Sequence, residues 1–363
     1  MKIILDLRMF VAGPGTVVNA TANMVNAYTG SASSYTAGGM SPTLKTFYDT
    51  ELLENHRDQL IFAQLGQQIF AQLGQQQPLP AHRGKVVEWR KFNTLPTCDA
   101  LTEGVIPDGK EFGITNLTVT LAQYGEYVTI SDVLDLHALD DVIAGATQEI
   151  GAASGKTHDL LVRNVLMTGS NIIFADAYSG TTYQSTPTTK AELITAIGSY
   201  TCDLTPDMIN KAVTNLKVGG APTFEGGKYI AVVHPHVAYA LRKNADWLEA
   251  HKYAAPEQIF NGEIGELHGV RFIESNLAPI IKAEGDSKAT YKTMFFGKNA
   301  FGVVDPDSAG ITTIIKQKGE IGGPLEQFST VGTKFEMAAK ILYQERMVAV
   351  WSGSPYSGTD SAN

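Results

Sequence analysis

From Leu136 onward, apolar and small residues return every three or four positions: Leu136, Leu139, Ile143, Ala146, Ile150, Ala153, Thr157, Leu160 and Asn164. Steps of three and four put them on one face of an α-helix. The spacing predicts a long helix through Leu139–Met167, opening at Ser131–Asp132, where an acid is stabilised by free backbone N–H groups and the helix dipole. Leu139 to Met167 alone would span about 44 Å, longer than a small domain is wide, so the helix is expected to run as a spine across a flat body. Gly145, Gly151 and Gly155 interrupt it. Each weakens the helix by roughly 1 kcal/mol relative to Ala, a loss that close approach of another backbone would offset.

Upstream, Ser41-Pro42 reads as an N-cap followed by Pro at the first helical position. Leu44, Phe47, Tyr48, Leu52 and Leu60 then recur at helical spacing up to Ile61. The octapeptide Ile61–Gln68 is repeated at once as Ile69–Gln76, a local duplication that lengthens a helix or its exit loop rather than a repeat array. Ala12–Met40, built of Gly, Ala, Ser, Thr, Asn and Val, cannot bury enough apolar area to fold alone. It suits an arm ordered on a neighbouring surface, or a loose leader.

At Lys85 the period changes to two. Lys85–Phe92 alternates as a strand does, and Leu117, Val119 and Leu121 are separated by Thr118 and Thr120. The turn-rich Asn93–Gly113 joins these arms into an extended hairpin with little core of its own, and Tyr124–Ser131 is a third extended piece. Thr205-Pro206 starts a capped helix with Ile209, Ala212, Val213 and Leu216 on one side, ended by Gly219-Gly220. A strand over Lys228–His234 and a helix from Pro235 to Trp247 follow, giving a compact α/β subdomain from about Thr205 to Leu267. Strands are expected at Val270–Ile273, Met294–Phe296, Ile311–Lys316 and Lys334–Tyr343, with a polar tail over Ser352–Asn363.

Composition narrows the function more than it names one. The chain has 363 residues, 44% apolar and only 18% charged, with a formal charge of −9, which argues against sequence-specific nucleic-acid binding. Between Glu88 and Asp141 ten acids (Glu88, Asp99, Glu103, Asp108, Glu111, Glu126, Asp132, Asp135, Asp140, Asp141) face three bases (Arg90, Lys91, Lys110). Two cysteines, Cys98 and Cys202, make neither a disulfide framework nor a thiolate metal site. No apolar run is long enough for a membrane span and Met1–Phe10 lacks a signal-peptide core, so synthesis in a reducing cytoplasm is expected.

Candidates for catalysis fail one by one. Gly262–Gly269 lacks the spacing of a nucleotide loop, and its acids would repel a pyrophosphate. His234 and His236 flank Pro235 without a third metal ligand; the plain reading has His234 ending a strand and His236 opening a helix. His251 and His268 have no i, i+4 relation. Asp132, Asp140 and Asp141 fit helix capping. Cys98 has no adjacent base, and Asp203 would raise the pKa of Cys202. No catalytic residue, cofactor or metal is expected.

Several strings together resemble one family. Leu101-Thr102-Glu103-Gly104 with Pro107, Gln123-Tyr124-Gly125-Glu126-Tyr127 and Ser131-Asp132-Val133 are similar to the major capsid proteins of tailed phages, most closely the group typified by the capsid protein of coliphage N-four. The same holds, in the same order, for Pro80 with Gly84-Lys85 and Val87–Arg90, His234–Val237 with Leu241-Arg242, Gly262–Gly265 with Gly269–Phe272, Pro324–Gln327 and Val331–Lys334. Two departures stand out: the doubled octapeptide looks like an insertion, and Phe328 stands where an Arg is expected.

The resemblance implies an α+β HK97-type capsid fold. An N-terminal arm and helix would take residues 1–83, an extended E-loop hairpin 84–123, and a peripheral domain with the spine helix 124–188. An axial domain would take 189–309, and C-terminal strands returning to the peripheral domain, with the tail, 310–363. The implied function is a non-enzymatic shell protein, self-assembling into hexamers and pentamers of an icosahedral head around double-stranded DNA. An encapsulin-like compartment around cargo enzyme is the alternative, and a tail or decoration component a further one. Partners would be further copies of the chain, a portal protein, scaffolding or decoration proteins, and DNA contacted non-specifically, with no membrane. Candidate intersubunit contacts are Trp89, Phe92, Leu117 and Val119 on the hairpin, Tyr124 and Tyr127 on the next strand, and Gln327 and Phe328. Asp140 and Glu149 on the spine are expected to face the lumen.

Overall fold

Two capped helices stand where the apolar spacing predicts one. The Ser131 hydroxyl accepts from the N–H of Leu134 and starts a short helix, Asp132–His137, which ends as Ala138 turns extended. Asp141 Oδ1 then accepts from the N–H groups of Ile143 and Ala144, both at 3.1 Å, and the spine helix runs from Val142 to Leu166, about 38 Å. Short polar side chains bonded to nearby N–H groups compete with helix continuation, so the hydroxyl and carboxylate that read as one long first turn begin separate helices.

The computed structural model describes residues 42–63, 85–92, 97–98, 100, 109–111, 113–138, 141–224, 226–244, 247, 265–283, 286–304, 311–317 and 327–363. The expectations for Met1–Met40, most of the doubled octapeptide, most of the Asn93–Gly113 connection, Asp140, Gly262–Ile264 and Pro324–Glu326 lie outside the described residues.

The chain divides into two units. One comprises residues 1–60, 122–158 and 305–337. Its sheet is built on the long strand Phe328–Ile341, flanked antiparallel by Ala122–Ser131, with Phe328 opposite Ser131, and by Thr312–Lys316, with Gly332 opposite Ile314. Helices cover one face of this sheet. Leu52 from the arm helix Pro42–Asp58 and Ile150 from the spine pack with Ile130 and Val331, all four buried. The expected close approach occurs at two of the three glycines. A Cβ on Gly151 would lie 2.8 Å from the Leu52 carbonyl oxygen, and one on Gly155 2.5 Å from that of His56, whereas Gly145 faces open space.

The other unit holds residues 61–121, 159–304 and 338–363. Its seven-stranded sheet runs Ile172–Phe174, Met347–Ser352, Thr290–Phe296, Tyr229–Val233, Val270–Glu274 and Glu266–Leu267, with Ile280–Ile281 paired to Thr290–Phe296. Thr290–Phe296 and Tyr229–Val233 are buried throughout, as expected of strands covered on both faces. Helix Pro206–Val218 starts at Thr205, whose hydroxyl accepts from Met208 N–H, and buries Ile209, Ala212, Val213 and Leu216 in this core. His234 caps helix Pro235–Lys243 through its ring nitrogen. That helix stops short of the expected Trp247, because Asn244 is extended.

Val86–Phe92 and Ile114–Thr120 form the hairpin, Trp89 opposite Leu117. The polar tail is anchored rather than loose. Asp360 accepts from the Tyr291 hydroxyl and lies 2.6 Å from His236 Nδ1. Arg163 donates to the side-chain and main-chain oxygens of Asn363 at 2.9 and 3.0 Å. No described helix is long and apolar enough to cross a membrane.

Candidate assembly surfaces

Alternation along Ala122–Ser131 sends Ile130 toward the helices and Tyr127 to the opposite face, where it is 73% exposed. Register places Tyr127, Gly332 and Ile314 in one row across three strands. Gly332 leaves that row low between two larger side chains; a Cβ there would meet the Glu126 carbonyl oxygen and Tyr127 Cβ, both at 2.9 Å. The result is a groove of about 370 Å³, lined by Glu126, Tyr127, Ile314, Lys316, Thr330 and Lys334 among others.

A second apolar group stands at the end of the same sheet. Phe328 is half exposed beside Ser131, and the short helix that follows leaves Val133, Leu134 and Leu136 largely in solvent. Leu136 fits the spine stripe in sequence, but the break at Ala138 takes it off that helix. The three residues and Ile314 are surface features that periodicity alone does not reveal; for the three, the signal in the sequence is the capping chemistry at Ser131 and Asp141.

Of the expected contact residues, Tyr124, Tyr127, Gln327 and Phe328 fall in one unit and Trp89, Phe92, Leu117 and Val119 in the other. Tyr124 is half-buried and stacked on Phe335, ring centroids 5.8 Å apart. Gln327 uses its carbonyl to accept from Asp132 N–H. Val119 and Trp89 are half-buried with Val87 against Leu121, Val304 and Ala338 of their own chain, so part of the hairpin seam already has a partner. Leu117 is half-buried opposite Trp89; Phe92 pairs with Ile114, and its side chain lies outside the described residues. Exposed Val86 and Ile114 add apolar area to the hairpin. Glu149 is exposed on the spine.

Burial pushes the Cys202 thiol up to about 11, with Asp203 and Asp176 adding to the rise; a thiol so protonated is a poor nucleophile. Burial, then the neighbouring His236, lowers His234 to about 4, against the pull of Asp360. Among the described residues no group of three or more His, Cys, Asp or Glu side chains is placed to hold a metal ion.

The family model described as phage capsid protein matches residues 115–352. No curated protein matches the chain in sequence. Among solved structures, the capsid of Ralstonia phage GP4 is similar at 18% identity and a TM-score of 0.57, over 77% of this chain and 86% of that one. The capsid of cyanophage P-SCSP1u gives 14% and 0.56, over 75% and 84%. That of Helicobacter pylori bacteriophage KHP30 gives 10% and 0.59, over 76% and 86%. At such identities the likeness is one of fold.

Proposed function

We propose, for a chain that belongs to the phage capsid protein family, that it is the major capsid protein of a tailed phage, closing as hexamers and pentamers into an icosahedral head around double-stranded DNA. Its α+β fold is of the HK97 type, and its role is structural. The observation that carries the reading is the family match over residues 115–352. The exposed row at Tyr127 and Ile314 and the group at Phe328, Leu134 and Leu136 support it, because clustered exposed apolar side chains on a soluble chain mark contact surfaces.

Residues 1–83 act as the arm, 84–123 as the E-loop, 124–188 and 310–363 as the peripheral part, and 189–309 as the axial part. Trp89, Phe92, Leu117, Val119, Tyr124, Tyr127, Gln327 and Phe328 make contacts between copies. Extended elements laid on neighbours contribute main-chain hydrogen bonds and apolar burial of about 25 cal/mol per Å² before association costs. A net charge of −9 suits a lumen that keeps packaged DNA mobile by repulsion. Further partners are a portal protein and scaffolding or decoration proteins. The chain assembles in the bacterial cytoplasm and resides in the virion; within the family it lies nearest the coliphage N-four group.

Electron microscopy of the purified native assembly tests this. Closed shells with fivefold and sixfold clusters, DNA-filled and carrying a portal, are expected. Tubes, isolated trimers, or shells filled with enzyme cargo would overturn it.

A further inference from the structure

The arm helix buries Tyr48, Leu52 and His56, one turn apart on one face. Two apolar residues are thus followed by an imidazole only 2% exposed. Opposite it the spine presents Gly151, Ser154, Gly155 and His158, and the two glycines bring the helices into backbone contact with no slack. The Ser154 hydroxyl donates to the Gly151 carbonyl at 2.8 Å. Its oxygen therefore accepts from His56 Nδ1, 2.9 Å away, which assigns the proton of neutral His56 to Nδ1.

His158 is 4% exposed, and neither of its ring nitrogens has a hydrogen-bond partner among the described residues. Its ring stacks on Phe335 at 5.7 Å, which stacks in turn on Tyr124, and lies 5.5 Å from the ring of His56. Among the described residues, the titratable group that the arm helix brings against the His158 ring is His56. The long strand faces it with Phe335, and the spine with Ser154. The adjoining Asp159 directs Oδ1 to the N–H groups of Ile61 and Ala63. Among the described residues no carboxylate offsets a charge on His158.

We infer that the His158–His56 pair is an acid-released latch: neutral, it holds the arm helix Pro42–Asp58 on the spine helix; protonated, it lets the arm helix go. Protonation gives the His158 ring a second donor with no acceptor in a dry contact, and sets a cation beside His56. Both effects fall on the crossing of the two helices, where the glycine contacts leave no room to adjust.

The direction with pH follows. Burial, then His56, lowers His158 from 6.5 to about 4. The released imidazole binds more protons than the held one between those values. The latch is therefore at full strength above pH 6.5 and weakens as pH falls, reaching its floor near 4. At pH 5.0 the equilibrium between held and released arm helix should have moved by roughly thirty-fold.

Hydrogen exchange on the unassembled full-length chain tests this at pH 7.5 and 5.0, with labelling times scaled for intrinsic exchange, so the result does not depend on shell formation. The amides of 42–58 should lose at least tenfold protection at pH 5.0, while those of the buried strand 229–233 do not. His158→Phe, which keeps a ring against Phe335, should protect the arm helix equally at both pH values. Equal protection of the wild-type arm helix at both pH values would overturn the inference without recourse to any variant. So would a His158→Phe chain that keeps the wild-type response.

Discussion

The carbonyl oxygen of His56 lies 2.5 Å from the position a Cβ on Gly155 would take, so at this point of their crossing the arm helix touches the spine helix through its backbone. Gly155→Ala should therefore force the helices apart. An added methyl in a filled contact costs about 1–3 kcal/mol, more than the helix propensity it gains. Gly145, in the same helix, has nothing within 4 Å of its Cβ position. Gly145→Ala should stabilise the chain by roughly 0.5–1 kcal/mol. Urea midpoints of the two variants should move in opposite directions, and a shared direction would show that the contact at Gly155 is soft.

That contrast marks how far the sequence reaches. The spacing of Ile143, Ala146, Ile150 and Ala153 reveals the spine and its covered face, and Thr205-Pro206 and Gly219-Gly220 bound a helix to within a residue. These are local signals, set by side-chain period and capping. The start of the long strand is not local. The strand is expected only from Lys334, yet it begins at Phe328, and Ser329, Val331 and Thr333 are buried because Ala122–Ser131 and Thr312–Lys316 pair on either side. The tail misleads for the same reason: Asp360 and Asn363 are polar in sequence, and their partners His236, Tyr291 and Arg163 lie far away along the chain. Among the surface residues, Tyr127 enters through the family resemblance, whereas Leu136 is hidden by fitting the spine stripe.

The opening residues of the first octapeptide copy, Ile61–Ala63, are held in place. Phe62 and Ala63 are fully buried, and Asp159 Oδ1 accepts from Ile61 N–H at 3.1 Å and Ala63 N–H at 2.9 Å. Phe62→Ala should lower stability by about 3–5 kcal/mol, and Asp159→Ala, which strips the half-buried Ile61 and buried Ala63 N–H groups of their acceptor, by about 1–3 kcal/mol. Deleting residues 69–76 leaves one intact copy and should change the thermal midpoint little. A deletion as damaging as Phe62→Ala would mean that the second copy also bears on the core.

Tyr127 and Phe328 stand in solvent, whereas Trp89 is half-buried on its own chain. Tyr127→Ser and Phe328→Ser should each leave the urea midpoint of the unassembled chain within about 0.5 kcal/mol of wild type while lowering the assembled fraction in sedimentation. Trp89→Asp should reduce both, since it places a carboxylate against Leu121, Val304 and Ala338. Normal assembly of both serine variants would remove the sheet face from the list of contacts between copies.

Lys292 is 2% exposed, donates to the Met167 carbonyl at 2.7 Å and lies 5.6 Å from the Trp351 ring centre, with no carboxylate within ion-pair distance among the described residues. Burial lowers its amine to about 8. The unfolded amine, near 10.4, binds more protons between those values, so stability should rise with pH from about 8 to 10.4. Below pH 8 the buried cation is a standing cost. Lys292→Met keeps the stem and removes the charge, and replacing a buried charge by an apolar side chain of similar shape stabilises by about 1–4 kcal/mol. The Met167 carbonyl loses its donor, a loss of about 1 kcal/mol, so a net gain of about 1–2 kcal/mol at pH 7 is expected. The wild-type rise between pH 8 and 10 should be absent from the variant. Urea midpoints at pH 7.0 and 9.5 decide it: a variant weaker than wild type by the same amount at both would show that the amine's hydrogen bond, not its charge, dominates the site.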